Sequence, residues 1–199
     1  MSFTAEDVKS LRDKTGAGMM ACKEALKACN GNIDEAVEYL RKKGIASADK
    51  KTGRATGDGL VEAYIHMGGK LGVMIEVNCE TDFVARTEQF KGLVKELAMQ
   101  VAASNPTVVS REQVPAEMIE KEKDIYREQV RGSGKPENVV EKIVGGKLDK
   151  FYSEICLLDQ PFIRDQKLSI KDLLASLVGK IGENIVVRRF VRFQLGEKS

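Results

Sequence analysis

The feature that most constrains the fold of this sequence is a pair of strand-like runs separated by two adjacent glycines. Residues 60–67 and 71–78 flank Gly68 and Gly69, an arrangement typical of a β-hairpin. Residues 184–195 are rich in β-branched and aromatic side chains, which predicts a long strand that completes a sheet with the hairpin. We therefore predict an α+β fold, in which a small antiparallel sheet of about three strands packs with helices segregated against it.

The N-terminal residues predict a compact bundle of three short helices. Thr4 with Asp7 forms a capping-box pattern at the start of the first helix, and Asn32 with Glu35 forms another at the start of the third. Apolar side chains at helical spacing predict the second helix at about 18–29. Three helices of this length bury a core that is barely adequate on its own.

A change in composition follows the bundle. Residues 47–59 are small, charged and glycine-rich, which is typical of a linker or a mobile loop. Beyond the hairpin, apolar spacing and capping residues predict further helices, at about 87–104, 116–131, 136–144, 147–156 and 169–178.

Charge and composition exclude several classes of protein. Thirty-two Lys and Arg against 30 Asp and Glu leave a net charge of +2, whereas a protein that mainly binds a phosphate backbone needs a strong basic excess. Apolar residues make up 42% and charged residues 31%, so we expect a packed core rather than disorder. No apolar run approaches the length of a membrane span, and the first residues lack the apolar stretch of a secretory signal.

Cysteine and histidine usage argues against a metal centre and against nucleophilic catalysis. The four cysteines form no C-x-x-C pair and His66 is the only histidine, so a four-ligand zinc site would use nearly all of them. Reduced thiols are the default in a chain of this size without a secretory signal. We therefore expect a cytoplasmic protein with no cofactor and no metal ion of its own. For His66, which is predicted to lie on a strand, we expect a structural or incidental role.

Two glycine motifs fail as nucleotide-binding signatures. Gly146-Lys147 precedes Leu148 rather than the Ser or Thr of a phosphate-binding loop. The G-x-G-x-x-A pattern that begins at Gly16 follows a predicted helix rather than a strand, so the geometry that cradles a pyrophosphate is missing.

Two other segments are harder to explain as structure alone. In residues 15–20, a turn with two glycines precedes Met19 and Met20, which lie about 100° apart around a helix. We predict that one methionine points inward and that its neighbour offers adaptable apolar surface to a partner protein; burial of both is the alternative. In residues 78–86, Thr81 or Asp82 is placed to cap a helix, and spacing alone favours Phe83, in its first turn, as a core residue.

These segments carry a resemblance that spans almost the whole chain. The stretches LRDKTGAGMMACKEAL, NGNIDEAVEYLRKKG, EVNCETDFVAR, QPFIRD and IGENIVVRRF resemble the bacterial elongation factor Ts family, the nucleotide exchange factors of elongation factor Tu, and occur in the family's order. The chain is similar to the short form, which has one sheet-containing half per chain. NGNIDEAVEYL also resembles the last helix of ubiquitin-associated domains, the fold that the family has at its N-terminus.

The resemblance implies a translation elongation factor that binds elongation factor Tu with GDP and promotes exchange of GDP for GTP by displacing Mg²⁺ and distorting the nucleotide site. Such a factor does no covalent chemistry and is not an enzyme. In the family, the segment that matches Thr81, Asp82, Phe83 and Val84 is assigned to Mg²⁺ dislocation. Phe83 would be the apolar wedge, and Asp82 its charged neighbour.

The resemblance also implies docking residues and a domain division. Arg12, Met19 and Met20 match the motif that docks on the GTP-binding domain of elongation factor Tu, and His66 falls where long members have a partner-contacting histidine. We predict a ubiquitin-associated-like three-helix docking domain at 1–46, a linker at 47–59 and an α+β core and dimerisation domain at 60–199. No direct contact with nucleic acid or membrane is expected.

Apolar residues on both faces of the predicted sheet indicate a homodimer, because a second copy is the simplest source of a second covering layer. On the last strand, alternation places Val187, Val191, Phe193 and Leu195 on one face, and Val186 and Phe190 on the other.

The alternative is a non-catalytic interaction protein. In that interpretation, a ubiquitin-associated-like bundle is tethered to a sheet domain and binds ribosomal or chaperone surfaces. Release of fluorescent GDP from elongation factor Tu distinguishes the two hypotheses.

Overall fold

The structure is a computed structural model that describes residues 3–131 and 136–197, and within these residues it contains eight α-helices and five strands. In chain order they are α1 Ala5–Thr15, α2 Met19–Ala28, α3 Ile33–Asp49, β1 Asp58–Ile65, β2 Leu71–Cys79, α4 Asp82–Ala85, α5 Glu88–Ser104, α6 Ala116–Arg131, α7 Glu137–Ile155, β3 Pro161–Phe162, β4 Asp165–Ser169, α8 Ile170–Ile181 and β5 Ile185–Gln194. The predicted α+β class is confirmed. None of the helices in the described ranges has the length and apolar content needed to cross a membrane.

The antiparallel three-stranded sheet has the order β1-β2-β5. The hairpin between β1 and β2 turns through Gly68 and Gly69, whose φ angles of 90° and 68° favour glycine. His66 N donates to Leu71 O at 2.9 Å and closes this turn. The prediction that His66 lies on a strand is wrong, because β1 ends at Ile65 and the chain begins to reverse at the next residue.

The two faces of the sheet differ in burial. On β2, Val73, Ile75 and Val77 are buried, whereas Met74 is 51% exposed. On β5, the prediction that Val187 shares a face with Val191 and Phe193 is wrong, because Val187 is buried whereas the other two are exposed. Arg188 and Arg189 are both exposed, so the alternation shifts by one residue there.

Side-chain contacts explain the exposed end of β5. Arg189 Nε donates to Glu76 Oε2 at 2.7 Å, and Arg192 Nε donates to Ala102 O of α5 at 3.5 Å. Val191 is 41% and Phe193 70% exposed. The strand therefore keeps Arg192 against α5 and leaves these two apolar side chains at the surface.

Two elements differ from the prediction: helix α7 is continuous, and a second small sheet is present. The sequence predicts two helices over residues 136–144 and 147–156, but α7 runs without a break through Gly145 and Gly146. Strands β3 and β4 form a second, two-stranded antiparallel sheet that pairs Phe162 with Asp165. Its first strand has two residues and begins with proline, too little pattern for a sequence-based prediction.

The three N-terminal helices share a core of their own. Leu11, Leu26 and Ala36 are fully buried in it. The capping box of Thr4 and Asp7 forms as predicted, and the Asn32 side chain accepts from two backbone amides at the start of α3. Local capping and a shared apolar core thus determine the bundle.

The chain folds into two compact units, and each of them combines segments that are distant in sequence. The first unit consists of the described residues of Met1–Gly59, Asn78–Thr87 and Asp172–Val186, and the second of those of Leu60–Val77, Glu88–Lys171 and Val187–Ser199. The first unit therefore contains the bundle, α4 and most of α8. The division into 1–46, 47–59 and 60–199 stays a prediction.

Helix α8 packs closely on α3 within the first unit. A Cβ atom on Gly179 would lie 3.0 Å from Gly44 Cα, and Arg41 pairs with Asp172 at 2.9 Å. Small residues at the crossing allow the two backbones to approach.

The segment predicted as a linker also makes contacts inside the first unit. Its first residues, 47–49, belong to α3, which runs to Asp49. Lys51 Nζ donates to Val178 O at 3.1 Å, and Arg54 O accepts from Asn184 Nδ2 at 3.1 Å. These bonds join the segment to α8 and to the turn that follows α8.

Candidate partner-binding site

The short helix α4 presents Phe83 to solvent. Thr81 is its N-cap and accepts from Val84 N at 3.4 Å. Ala85 is buried, whereas Phe83 is 79% exposed. The interpretation of Phe83 as a core residue, favoured by spacing alone, is therefore wrong. Exposure of a large aromatic ring is what a wedge requires.

A weak ion pair lies beside this ring. Asp82 Oδ2 is 2.9 Å from the guanidinium of Arg86, one helical turn away, and both side chains are largely exposed. Exposed pairs of this kind contribute about 0–1 kcal/mol. Asp82 can therefore exchange Arg86 for a partner's donor at little cost, while Val84 is half-buried and helps to seat the helix.

Glu183 holds the N-cap of α4 by two hydrogen bonds. Thr81 Oγ1 donates to Glu183 Oε1 at 2.7 Å, and Thr81 N donates to Glu183 Oε2 at 3.1 Å. Sequence reasoning missed Glu183. Its only signal is membership of the IGENIVVRRF stretch, because 102 residues separate it from Thr81 and no local pattern connects the two.

Glu80 and Asn184, the neighbours of Thr81 and Glu183 in the sequence, also bond to each other. Glu80 Oε1 accepts from Asn184 N at 2.6 Å and lies 3.6 Å from Arg54 Nη1. Asn184 is buried, and its side chain reaches Arg54 O. Adjacent residues before α4 are thus joined to adjacent residues after α8.

Cys79 precedes this group and is unsuited to nucleophilic chemistry. Its thiol is buried and donates to Thr81 O at 3.2 Å. Burial, and then the negative charge of Glu183, raise the pKa of the Cys79 thiol, which keeps it protonated at neutral pH. Among the residues that the structure describes, no cluster of three or more His, Cys, Asp or Glu is arranged to hold a metal ion.

Residues 15–20, which we call the Gly-Met turn, form the second candidate surface. Gly16 ends α1 with a φ of 64°. Met19 is 62% and Met20 78% exposed, so the prediction that one of them points inward is wrong, as is the alternative that both are buried. The first buried residue of α2 is instead Cys22, about one helical turn after Met19. Arg12, on α1, is also exposed.

Lys180 of α8 reaches the Gly-Met turn. A Cβ atom on Gly16 would lie 3.2 Å from Lys180 Nζ. Burial lowers the pKa of Lys180. An ammonium near the C-terminal end of α1 interacts favourably with the helix dipole, and the contact joins the turn to α8.

His66 belongs to the second unit, whereas the other candidate residues all belong to the first. Its side chain is exposed, and its Nδ1 lies 3.0 Å from the Tyr64 hydroxyl. The structure thus brings Arg12, Met19, Met20, Thr81, Asp82, Phe83 and Val84 into one compact unit.

The second unit exposes apolar side chains of the sheet and its hairpin turn. These residues, which we call the exposed sheet patch, are Val61, Ile65, Met67, Met74, Val191, Phe193 and Leu195, each at least 41% exposed. Ile65 Cδ1 lies 3.0 Å from the position of a Cβ on Gly72, and Leu195 N donates to Lys70 O at 2.8 Å. The patch therefore extends from the strands to the hairpin turn.

Comparison with known proteins agrees with the resemblance seen in the sequence. The family model described as elongation factor TS matches residues 2–197. Elongation factor Ts of Moorella thermoacetica is 60% identical over 195 residues, covering 98% of this chain and 96% of that protein. The proteins of the same name from Caldanaerobacter subterraneus and Fervidobacterium nodosum are 58% and 57% identical and are covered over 98% and 100% of their lengths. The chain therefore belongs to the elongation factor Ts family of translation elongation factors.

Proposed function

We propose that this chain is the guanine nucleotide exchange factor of elongation factor Tu. It binds elongation factor Tu in the GDP form and promotes the release of GDP, so that GTP can bind. The single observation that carries the proposal is Phe83, 79% exposed on a four-residue helix. Exposing a phenylalanine forgoes about 1.5–3 kcal/mol of burial. A partner that buries the ring recovers this free energy.

The mechanism follows from linkage. A factor that binds nucleotide-free elongation factor Tu more tightly than the GDP form weakens GDP binding by the same factor. Phe83 is proposed to enter between helices of the partner on the Mg²⁺ side of its nucleotide site. Asp82 then leaves Arg86 and reorganises hydrogen bonds around the metal. Both changes weaken the hold on the β-phosphate, which depends on Mg²⁺ and on oriented backbone amides.

The Gly-Met turn is proposed to supply docking. Met19 and Met20 are unbranched, adaptable side chains at the surface of a bundle that has its own core. Together with Arg12 they would bind the GTP-binding domain before Phe83 enters. His66 is proposed as a further contact from the second unit.

The factor is proposed to do no covalent chemistry and to work in the cytoplasm. The Cys79 thiol is buried with a raised pKa, and the ring of His66 lies beside the Tyr64 hydroxyl, which argues against a thiol-imidazole pair. The expected activity is therefore faster nucleotide exchange on the partner rather than turnover of a substrate by this chain.

We further propose that two copies associate through the exposed sheet patch. Its seven apolar residues form the kind of surface that a partner normally covers, and a second copy supplies a matching face. Sedimentation at micromolar concentration should give twice the 21.9 kDa of one chain, and Phe193→Asp should give monomers. A wild-type monomer with full exchange activity would contradict the dimer.

The exchange proposal is tested by release of fluorescent GDP from elongation factor Tu. We expect the chain to accelerate release in the presence of Mg²⁺, and the acceleration to shrink when Mg²⁺ is chelated, because the accelerated step is then already complete. An interaction protein of the alternative kind would leave the release rate unchanged at every concentration.

A further inference from the structure

Helix α4 lacks the means to fix its own orientation. Four residues are too few for a stable helix in water, because nucleation costs more than so few hydrogen bonds return. Ala85 is its only buried residue, and the pair of Asp82 with Arg86 is exposed. Thr87, just before α5, holds the C-terminal end of α4 through a hydrogen bond from its hydroxyl to Val84 O at 2.8 Å. The direction in which Phe83 points therefore depends strongly on the attachment of the helix at its other end, the N-cap.

Thr81 is the residue of α4's N-cap that is attached, and Glu183 is the residue that holds it. The Thr81 hydroxyl donates to Glu183 while it accepts from Val84 N, and the Thr81 amide donates to the second oxygen of the same carboxylate. Two bonds to one carboxylate fix both the position and the rotation of Thr81. A neutral or shorter side chain at residue 183 cannot reproduce both.

Glu183 is itself held by α8. Gly182, with a φ of 91°, ends the helix, and its amide donates to Val178 O at 2.9 Å. Three residues before Gly182, Gly179 packs against Gly44 of α3. The turn after α8 therefore connects α4 to a helix that is packed on the N-terminal bundle.

We propose that Glu183 is a positioning residue for nucleotide exchange: its carboxylate holds Thr81 so that α4 presents Phe83 to the partner in one orientation. The inference rests on the proposed function of Phe83 as a wedge. Without Glu183, the ring samples several orientations and enters the partner less often in the productive one, since preorganisation no longer reduces the entropy cost.

A spectroscopic experiment tests the ordering without any partner. The chain has no tryptophan, so Phe83→Trp introduces a unique probe. In that background, Glu183→Ala should increase the amplitude of nanosecond motion in the fluorescence anisotropy decay, and Glu183→Gln should increase it less. Glu117→Ala, at an exposed glutamate of α6, is the matched control. An unchanged decay in the Glu183→Ala protein would overturn the proposal.

A kinetic experiment with fluorescent GDP tests the consequence for exchange. Glu183→Ala should lower the maximal release rate about tenfold and leave the half-saturating concentration within about twofold. Thr81→Val should behave alike, and Thr81→Ser, which keeps the hydroxyl, should retain the rate. Added to Phe83→Ala, Glu183→Ala should cause no further loss. Full additivity with Phe83→Ala, or a loss that only follows the folded fraction in thermal unfolding, would overturn the proposal.

The two proposals fail in distinguishable ways. If the wild-type chain does not accelerate GDP release, the exchange function is rejected and the role of Glu183 in exchange is rejected with it. If the wild-type chain accelerates release, Phe83→Ala abolishes the acceleration and Glu183→Ala does not change it, only the role of Glu183 is rejected.

Discussion

The Gly-Met turn and helix α4 both present large apolar side chains to solvent, but they are held in different ways. The turn lies between α1 and α2, whose core includes fully buried Leu11 and Leu26. Helix α4 has one buried residue, Ala85, and the residues before it make hydrogen bonds to residues more than 100 positions away. The turn is supported mainly by local packing, with one contact from Lys180 of α8, and α4 mainly by distant polar contacts.

This difference predicts different kinetic roles. Under the proposed function, a docking surface on the bundle contributes binding free energy that is much the same in every state of the complex, which changes the half-saturating concentration. Under the proposed function, a side chain held in one orientation by polar contacts contributes where geometry matters, which is in the step that releases GDP. Substitutions at the two sites should therefore change different kinetic parameters.

The largest effect is expected for Phe83→Ala. The maximal rate of GDP release should fall by about 10–100-fold, corresponding to the loss of about 1.5–3 kcal/mol of burial in the partner. The free protein should lose little stability, because the ring is 79% exposed. Fluorescent-GDP release and thermal unfolding of the same variant provide both measurements.

Phe90→Ala is the matched control for that variant. Phe90 is fully buried in α5, so its loss should cost about 3–5 kcal/mol of folding free energy. If Phe83→Ala instead lowered the melting temperature as Phe90→Ala does and left exchange unchanged, the assignment of Phe83 as a wedge would be wrong.

A smaller effect, on the other kinetic parameter, is expected for Met20→Asp. Met20 is 78% exposed, and a charge placed on a docking surface should raise the half-saturating concentration about tenfold while the maximal rate stays the same. Met118→Asp, at an exposed methionine of α6, is the control. If Met20→Asp instead reduced the maximal rate and left the half-saturating concentration unchanged, the proposed difference in role between the Gly-Met turn and α4 would be wrong.

Gly179→Ala tests whether the bundle depends on α8. The new Cβ would lie 3.0 Å from Gly44 Cα, so the backbone of α3 must shift by a few tenths of an ångström, and we expect a cost of about 1–3 kcal/mol in unfolding free energy. Gly145→Ala in α7 meets nothing within 4 Å and should stabilise by about 0.5–1 kcal/mol. Denaturant unfolding measures both, and equal signs would contradict the close packing of α3 and α8.

The smallest effect is expected at the start of α1. Hydrogen bonds from the backbone and side chain of Thr4 lower the pKa of Asp7. Stability from this carboxylate is therefore present above its ordinary pKa and is lost as pH falls through the lowered value. Asp7→Asn should flatten the acid limb of the stability curve, and Thr4→Ala should cost about 1 kcal/mol. An unchanged acid limb in Asp7→Asn would contradict the assignment.

Local chemistry in the sequence was enough to predict several elements. The capping box at Thr4, the glycine pair of the hairpin and the apolar stripe of α5 each depend on residues within a few positions of one another. Side chains three or four apart share a helix face, and glycine accepts a positive φ, whatever the rest of the chain does. The family resemblance added the prediction that Phe83 acts as a wedge, whereas spacing alone assigned this residue to the core.

Tertiary structure alone decided the rest. The exposure of Phe83, the exposure of both methionines and the shift of alternation along β5 depend on which neighbours occupy the space around a side chain. The bonds of Thr81 to Glu183 join residues 102 positions apart, and no periodicity in the sequence encodes such a pairing. A sequence pattern states which face of an element is apolar, but only packing determines which of those apolar side chains are covered and which distant carboxylate holds a four-residue helix in place.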